Sequence, residues 1–241
     1  MRSLKLVLLC LLGIPLFAAQ PALTLDQVVK KLEQNFESIR SYQARFEQEV
    51  RSEQFGRSLT KGSGELFYVK PGKMVWHYQS PEEHWYITNG RLFWDYLPSV
   101  KQALEMKLDQ AISSNLPKGF LFGMAKLSDQ FTIAFDPAHP DDKDGKYHLQ
   151  LTPKKEEDRI LIGTLELAVD AKTFLVKEAK LRDSLGNVNE LKFLDLKVNP
   201  KIDEKMFNFT VPTGVEKISP PGSEPGKDSG GKNQGEEVKP K

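Results

Sequence analysis

The chain has 241 residues, with 34 Lys and Arg against 33 Asp and Glu, and a single cysteine. A near-neutral chain without a basic block excludes the electrostatic footprint of a nucleic-acid binder or of a protein docked on anionic lipid. One cysteine excludes a disulfide framework, so the fold must rest on its apolar core.

Residues 1–19 read as a secretory signal peptide. Arg2 and Lys5 form a basic head, Leu6 to Phe17 is apolar, and Ala18 and Ala19 are small. Such a run is too short for a spanning helix with stop-transfer flanks. The lone cysteine, Cys10, lies inside the apolar run after Leu9. A lipid-modified cysteine takes a small residue before it, so the expectation is a soluble exported protein whose mature chain has no cysteine. At the other end, residues 219–241 are mostly Pro, Gly, Ser and charges, with Val238 as the one aliphatic residue. That composition cannot bury enough to order itself and predicts a disordered tail. One folded domain, residues 20–218, remains, a comfortable size for a single core.

Thr24 opens a helix, with Gln27 completing a capping box. Leu25, Val28, Val29, Leu32, Phe36 and Ile39 then form one apolar face. From Ser41 the period changes to two: Tyr42, Ala44, Phe46, Gln48 and Val50 alternate with polar residues, as a half-buried strand requires. A further strand covers Gly64 to Val69. Pro71-Gly72 suits the centre of a type II turn, and Met74, Trp76 and Tyr78 share one face of the next strand. Pro81 breaks that strand, Trp85 and Ile87 share a face of the next, and Asn89-Gly90 marks a hairpin. Leu92, Trp94 and Tyr96 follow on one face. Leu104 to Ile112 reads as helical. Pro117 suits the first position of a short helix with Leu116, Phe120, Met124 and Leu127 at helical spacing. Leu121 and Phe122 make it apolar nearly all round, like a lid. Strands resume at Phe131–Phe135, Tyr147–Leu151, Ile160–Val169, Phe174–Leu181, Val188–Val198 and Phe207–Val211. Many short strands with regular turn signals predict a meander that curls into a barrel or part of one.

The residues of chemistry are sparse. His77 and His84 fall on separate strands and face opposite ways, and no HExxH helix supports zinc. Asp142-Lys143-Asp144-Gly145 resembles the start of a calcium loop, but Lys146 occupies a liganding place and no closing Glu follows. No GxSxG, P-loop or GxGxxG occurs. The reading is therefore no enzyme, no cofactor and no metal. What stands out is Gly64 to Pro98, which holds all three Trp. It fits an ordinary barrel core or an aromatic-lined cavity. Large residues on both faces of its strands, and few helices to fill a curved sheet, lean toward a cavity for an apolar ligand.

Across nearly the whole mature domain the sequence resembles the LolA family, periplasmic carriers of outer-membrane lipoproteins. The resemblance runs through Phe46-Glu47-Gln48, Gly64-Glu65-Leu66, Lys70-Pro71, Trp76-His77-Tyr78, Pro81, Asn89-Gly90 and Leu92, Trp94 and Tyr96. It ends on Phe207-Asn208-Phe209-Thr210-Val211-Pro212-Thr213-Gly214-Val215. It implies an α+β fold: an incomplete, open antiparallel β-barrel covered by a lid of about three helices. It implies a monomeric chaperone in the periplasm that shelters the acyl chains of lipid-modified lipoproteins. Cargo would come from an inner-membrane lipoprotein-releasing ABC transporter and pass to an outer-membrane LolB-type receptor. No cofactor and no nucleic acid would be involved. A buried methylene is worth about 0.8 kcal/mol, so one long chain exposes on the order of 10 kcal/mol of unfavourable surface to water. Only a large apolar cavity offsets that. Phe46, Leu66, Met74, Trp76 and Trp94, with the lid residues Phe120, Leu121 and Met124, are the candidates to line it; Met suits an adaptable wall. Where the family commonly has an Arg that holds the lid closed, this chain has Lys70. Lys70 is thus either a latch without the planar fork or a turn-flanking surface lysine. The alternatives to a carrier are a LolA-like sensor of mislocalised lipoproteins, which would need a second folded domain, an outer-membrane receptor, which would need a lipidated cysteine, and an enzyme on a lipid-like substrate.

Overall fold

Helix α1 spans Leu25–Ser38 and begins as the capping box requires. The Gln27 N–H donates to Thr24 Oγ1 at 3.4 Å, and the Thr24 N–H donates to Gln27 Oε1 at 2.9 Å. Two otherwise orphaned donors are satisfied reciprocally. Its apolar face is buried at Val28 and Leu32. The structure, a computed structural model, describes residues 23–52, 57–113, 126–139 and 144–218. The expected signal peptide at 1–19, the tail at 219–241 and the lid residues Phe120, Leu121 and Met124 lie outside the described residues.

The strands are β1 (Ser41–Ser52), β2 (Arg57–Val69), β3 (Lys73–Ser80), β4 (His84–Asn89), β5 (Leu92–Leu97), β6 (Gln102–Lys107), β7 (Phe131–Phe135), β8 (Lys146–Pro153), β9 (Thr164–Asp170), β10 (Val176–Arg182), β11 (Asn187–Val198) and β12 (Glu216–Ile218). Short helices α2 (Leu108–Ser113), α3 (Leu127–Gln130) and α4 (Glu156–Leu161) interrupt them. All twelve strands form one sheet in the order β12-β6-β5-β4-β3-β2-β1-β11-β10-β9-β8-β7. Neighbours are antiparallel except β12 and β6, which run parallel. No pairing joins β7 to β12 among the described residues, so the sheet is an open, incomplete barrel.

The period-two pattern sorts the side chains onto two faces. On the inner face, Leu149, Leu151, Leu167 and Ala179 pack under Val28 and Leu32 of α1, joined by Phe131. Further along, Phe46, Leu66, Tyr68 and Met74 pack with Leu108, the first residue of α2. Ser128, in α3, donates its N–H to Glu33 of α1 at 2.9 Å. Among the described residues, α1, α2 and α3 lie on the inner face. The outer face of β3–β5 is also apolar. Val75, Ile87 and Trp94 are buried there under Phe207, with Phe209 beside them.

Three sequence expectations differ from the structure. Leu104 to Ile112 is not one helix: its first part is β6, and α2 begins at Leu108. Pairing with β5 overrides the weak helical spacing there. Ile160 to Leu161 ends α4, and the strand starts only at Thr164. Phe207 to Val211 is not a strand; Glu204–Phe207 is a 3₁₀ turn, and the edge pairing comes later, at Glu216–Ile218. Phe207 serves as an anchor on the outer face instead of a rung in the ladder.

Gly64 is placed where no side chain fits. A Cβ there would lie 2.0 Å from the His77 carbonyl oxygen, at an irregularity between Ser63 and Gly64 in the β2–β3 pairing. Gly64 stands between Phe46 on β1 and Tyr78 on β3, whose rings meet edge-on at 4.8 Å. The missing side chain lets two large rings from next-nearest strands touch over it.

Candidate ligand-binding site

The strand register brings the inner residues into rows. Ala44, Leu66, Trp76 and Tyr86 lie side by side across β1 to β4. Tyr42, Tyr68, Met74, Thr88 and Phe93 form the next row. Tyr42 and Tyr68 stack at 4.8 Å, and Phe46 meets Trp76 edge-on at 4.9 Å. The Trp76 Nε1–H donates to Met74 Sδ at 2.9 Å. Burial raises the pKa of the phenols of Tyr42 and Tyr78, with a smaller contribution from the neighbouring Tyr68 and Tyr86 respectively. The Tyr86 phenol is pushed up to about 12 by burial and then by Asp95. These phenols stay neutral O–H groups throughout any physiological range.

Two hollows flank Trp76. One is a crevice of about 70 Å³ beneath the C-terminal half of α1, bounded by Leu32, Phe36, Ile39, Leu66, Phe174 and Phe193. The other is a cavity of about 360 Å³ toward β4 and β5, with Met74, Phe93 and Leu191 in its wall. Trp76 borders both. The larger volume falls at the small end of ligand pockets, roughly 300–1,000 Å³.

Of the residues expected in such a site, Leu66 borders the crevice, Met74 the cavity and Trp76 both. Phe46 is buried and packs behind Trp76 and Tyr78 instead of lining either hollow. Trp94 is on the wrong face. It pairs with Ile87, which pairs with Val75, and all three point outward beneath Phe207. Its Nε1–H donates to Glu105 at 2.8 Å, and Lys217 holds the same carboxylate at 2.8 Å. Trp94 is the seat for the C-terminal segment, not a wall of the cavity. Strand parity carried that signal. Four residues separate the paired Thr88 and Phe93, and a two-residue Asn-Gly loop would give the same facing. Tyr78, Tyr86, Phe93, Leu191 and Phe193 were missed. Tyr78 shares its face with Met74 and Trp76, so the same alternation would have included it.

Lys70 Nζ donates to the carbonyl oxygens of Phe36 at 3.0 Å and Glu37 at 2.9 Å. It also lies 5.6 Å from the centre of the Phe36 ring. These carbonyls belong to the last turn of α1, which has no basic residue of its own. An ammonium at a helix C-terminus meets the negative end of the helix dipole and fills orphan acceptors. Asn35 adds a second tether, donating to the carbonyls of Thr173 at 2.8 Å and Phe174 at 3.1 Å.

Fold and site together define a binding protein with two apolar hollows on the inner face of an open sheet, one of them covered by α1. The family model described as outer membrane lipoprotein carrier protein LolA matches residues 37–210, and the chain belongs to that family. It is 31% identical over 221 residues to an outer-membrane lipoprotein carrier protein of Cupriavidus pinatubonensis, covering 90% of this chain and 98% of that one. It is likewise 31% identical over 212 residues to the outer-membrane lipoprotein carrier protein of Hahella chejuensis, covering 88% and 97%. The fold is shared with an uncharacterized conserved protein from Thermus thermophilus, at a TM-score of 0.53 and 12% identity, over 80% of this chain and 98% of that one.

Proposed function

We propose that the protein is a periplasmic chaperone that shelters the acyl chains of lipoproteins and carries them from the inner membrane to an outer-membrane receptor. The observation that carries this reading is the apolar pair of hollows around Trp76, the crevice roofed by a helix whose C-terminal end is held by Lys70 and Asn35. Binding needs no catalysis: the cavity wall carries no charged side chain among the described residues. Loading comes from displacement of α1 from the crevice, where Leu32, Phe36 and Ile39 cover space that is not filled. Lys70 acts as the latch, so the closed empty state is favoured and a loaded protein gains by giving its cargo up. An inner-membrane lipoprotein-releasing ABC transporter would load it and a LolB-type receptor unload it. Lining roles fall to Leu66, Met74 and Trp76, with Phe46 as their backing; Phe120, Leu121 and Met124 remain candidates for the lid.

The test is release and capture. Lipoproteins should leave inner-membrane spheroplasts in complex with the added protein, and mass spectrometry of the protein purified from periplasm should show bound lipoprotein. Absence of both would refute the carrier reading.

A further inference from the structure

The larger cavity has two chemical halves. Met74, Trp76, Phe93 and Leu191 give it apolar wall, and Gln48, Asn189, Tyr78 and Tyr86 give it hydrogen-bonding groups, taken together as its polar rim. Three of these groups form a directed chain. The Tyr78 O–H donates to Gln48 Oε1 at 2.9 Å, and Gln48 Nε2 donates to Asn189 Oδ1 at 2.9 Å. Each amide nitrogen carries two N–H donors, so the chain is richer in donors than its internal bonds consume. Burial keeps the two phenols protonated. None of the described residues lining this cavity is charged.

Building on the carrier reading above, we infer that this rim recognises the neutral carbonyl linkages of a diacylglyceryl anchor and rejects the phosphodiester of a phospholipid. A fatty chain lying on Trp76 and Met74 ends, at the rim, in an ester or amide carbonyl. That carbonyl is an acceptor facing the spare amide N–H groups of Gln48 and Asn189, which the Tyr78 O–H holds in orientation through Gln48 Oε1. A phosphodiester brought to the same place meets no cation among the described lining residues, and an anion removed from water without a partner is costly. The anchor of a lipidated cysteine carries esters and an amide and no phosphate, so the rim separates cargo from the bulk lipid of the membrane it is taken from.

Titration of the purified full-length chain with three short lipids, read by quenching of tryptophan emission beside the cavity, tests this. The lipids are dioctanoylglycerol, the matching dioctyl diether of glycerol, which lacks both carbonyls, and dioctanoyl phosphatidylglycerol. The diester should bind about tenfold tighter than the diether, as one or two neutral hydrogen bonds provide, and tighter still than the anionic lipid. Tyr78→Phe and Gln48→Met should each bring the diester close to the diether while leaving diether affinity unchanged, which also shows that the variants are folded. Equal binding of diester and diether by the unaltered protein, or equal binding of the phosphatidyl lipid, overturns the inference while leaving the apolar cavity intact. Failure of all three lipids to bind overturns the carrier reading as well.

Discussion

Replacing Lys70 by Met keeps the length and apolar stem of the side chain and removes the ammonium. Two bonds at 3.0 and 2.9 Å to the last turn of α1 are lost. Charge-assisted bonds contribute about 1.5–3 kcal/mol each when well buried. Lys70 is only half-buried, and solvent screening reduces the pair to a total of about 1.5 kcal/mol. That corresponds to roughly a tenfold larger population with the end of α1 displaced. The effect should be local. Val28 is embedded in the core and Leu32 spans core and crevice, whereas Phe36 and Ile39 sit over the crevice. Hydrogen exchange of the amides in the last turn of α1 should therefore quicken about tenfold, with little change at the helix start. Lys70→Arg should retain protection. In reconstituted transfer, Lys70→Leu should slow handover to the receptor more than pickup from spheroplasts, because the closed state that drives release is weakened. Unchanged exchange in Lys70→Met, or unchanged handover in Lys70→Leu, would refute the latch.

Gly64→Ala should cost about 3 kcal/mol by forcing β2 from β3, visible as a lower midpoint in urea; the close approach to the His77 carbonyl leaves no small adjustment. Trp94→Phe should lower thermal stability through lost packing and the lost bond to Glu105, yet leave apolar-ligand affinity unchanged; a large loss of affinity would return Trp94 to the cavity. Trp76→Ala should join the two hollows and raise the uptake of bulkier diacyl lipids relative to single-chain ones, measured by competition. Asp170 accepts from the Thr173 N–H at 2.7 Å, from the Thr173 hydroxyl at 2.8 Å and from the Lys172 N–H at 3.1 Å, and the backbone bond from Thr173 leads in holding its pKa below the ordinary value. A depressed folded pKa stabilises above the unfolded value of about 3.9 and loses that stabilisation as pH falls through the folded one. Asp170→Asn should thus be less stable than the unaltered protein at neutral pH, with the gap closing below about pH 4 in acid-unfolding curves.

Much of the architecture was legible because it is local. The Thr24–Gln27 box and the spacing from Leu25 to Ile39 set α1 without reference to the rest of the chain. The alternation from Tyr42 onward and the Pro71-Gly72 and Asn89-Gly90 turns set the first strands, with Gly72 and Gly90 both at positive φ. The outer face was not legible. Leu92, Trp94 and Phe209 are as apolar as the cavity wall, and hydropathy does not say which side a ligand occupies and which side a returning chain covers. The segment from Phe207 onward has a strand-like composition, but Pro212 lacks the N–H a ladder needs, and the pairing is deferred to Glu216–Ile218. The partner of Lys70 was invisible for another reason. Backbone carbonyls 33 and 34 residues away leave no mark in the sequence, so the lysine reads the same whether tied or loose. The Tyr78–Gln48–Asn189 chain combines residues from three strands, and only the observed register makes them neighbours.

Among the described residues no seam joins β7 to β12, and that has a mechanical consequence. A closed barrel has its radius fixed by strand number and shear, so its interior can gain room only by moving side chains. A sheet whose ends are not bonded to each other has no such constraint. Its twelve strands can uncoil slightly, each pair rotating by a small angle while every ladder bond is kept. Capacity then becomes an elastic property of the backbone, shared across the whole width of the sheet, and cargo with chains of different length can be taken up without rewriting the wall.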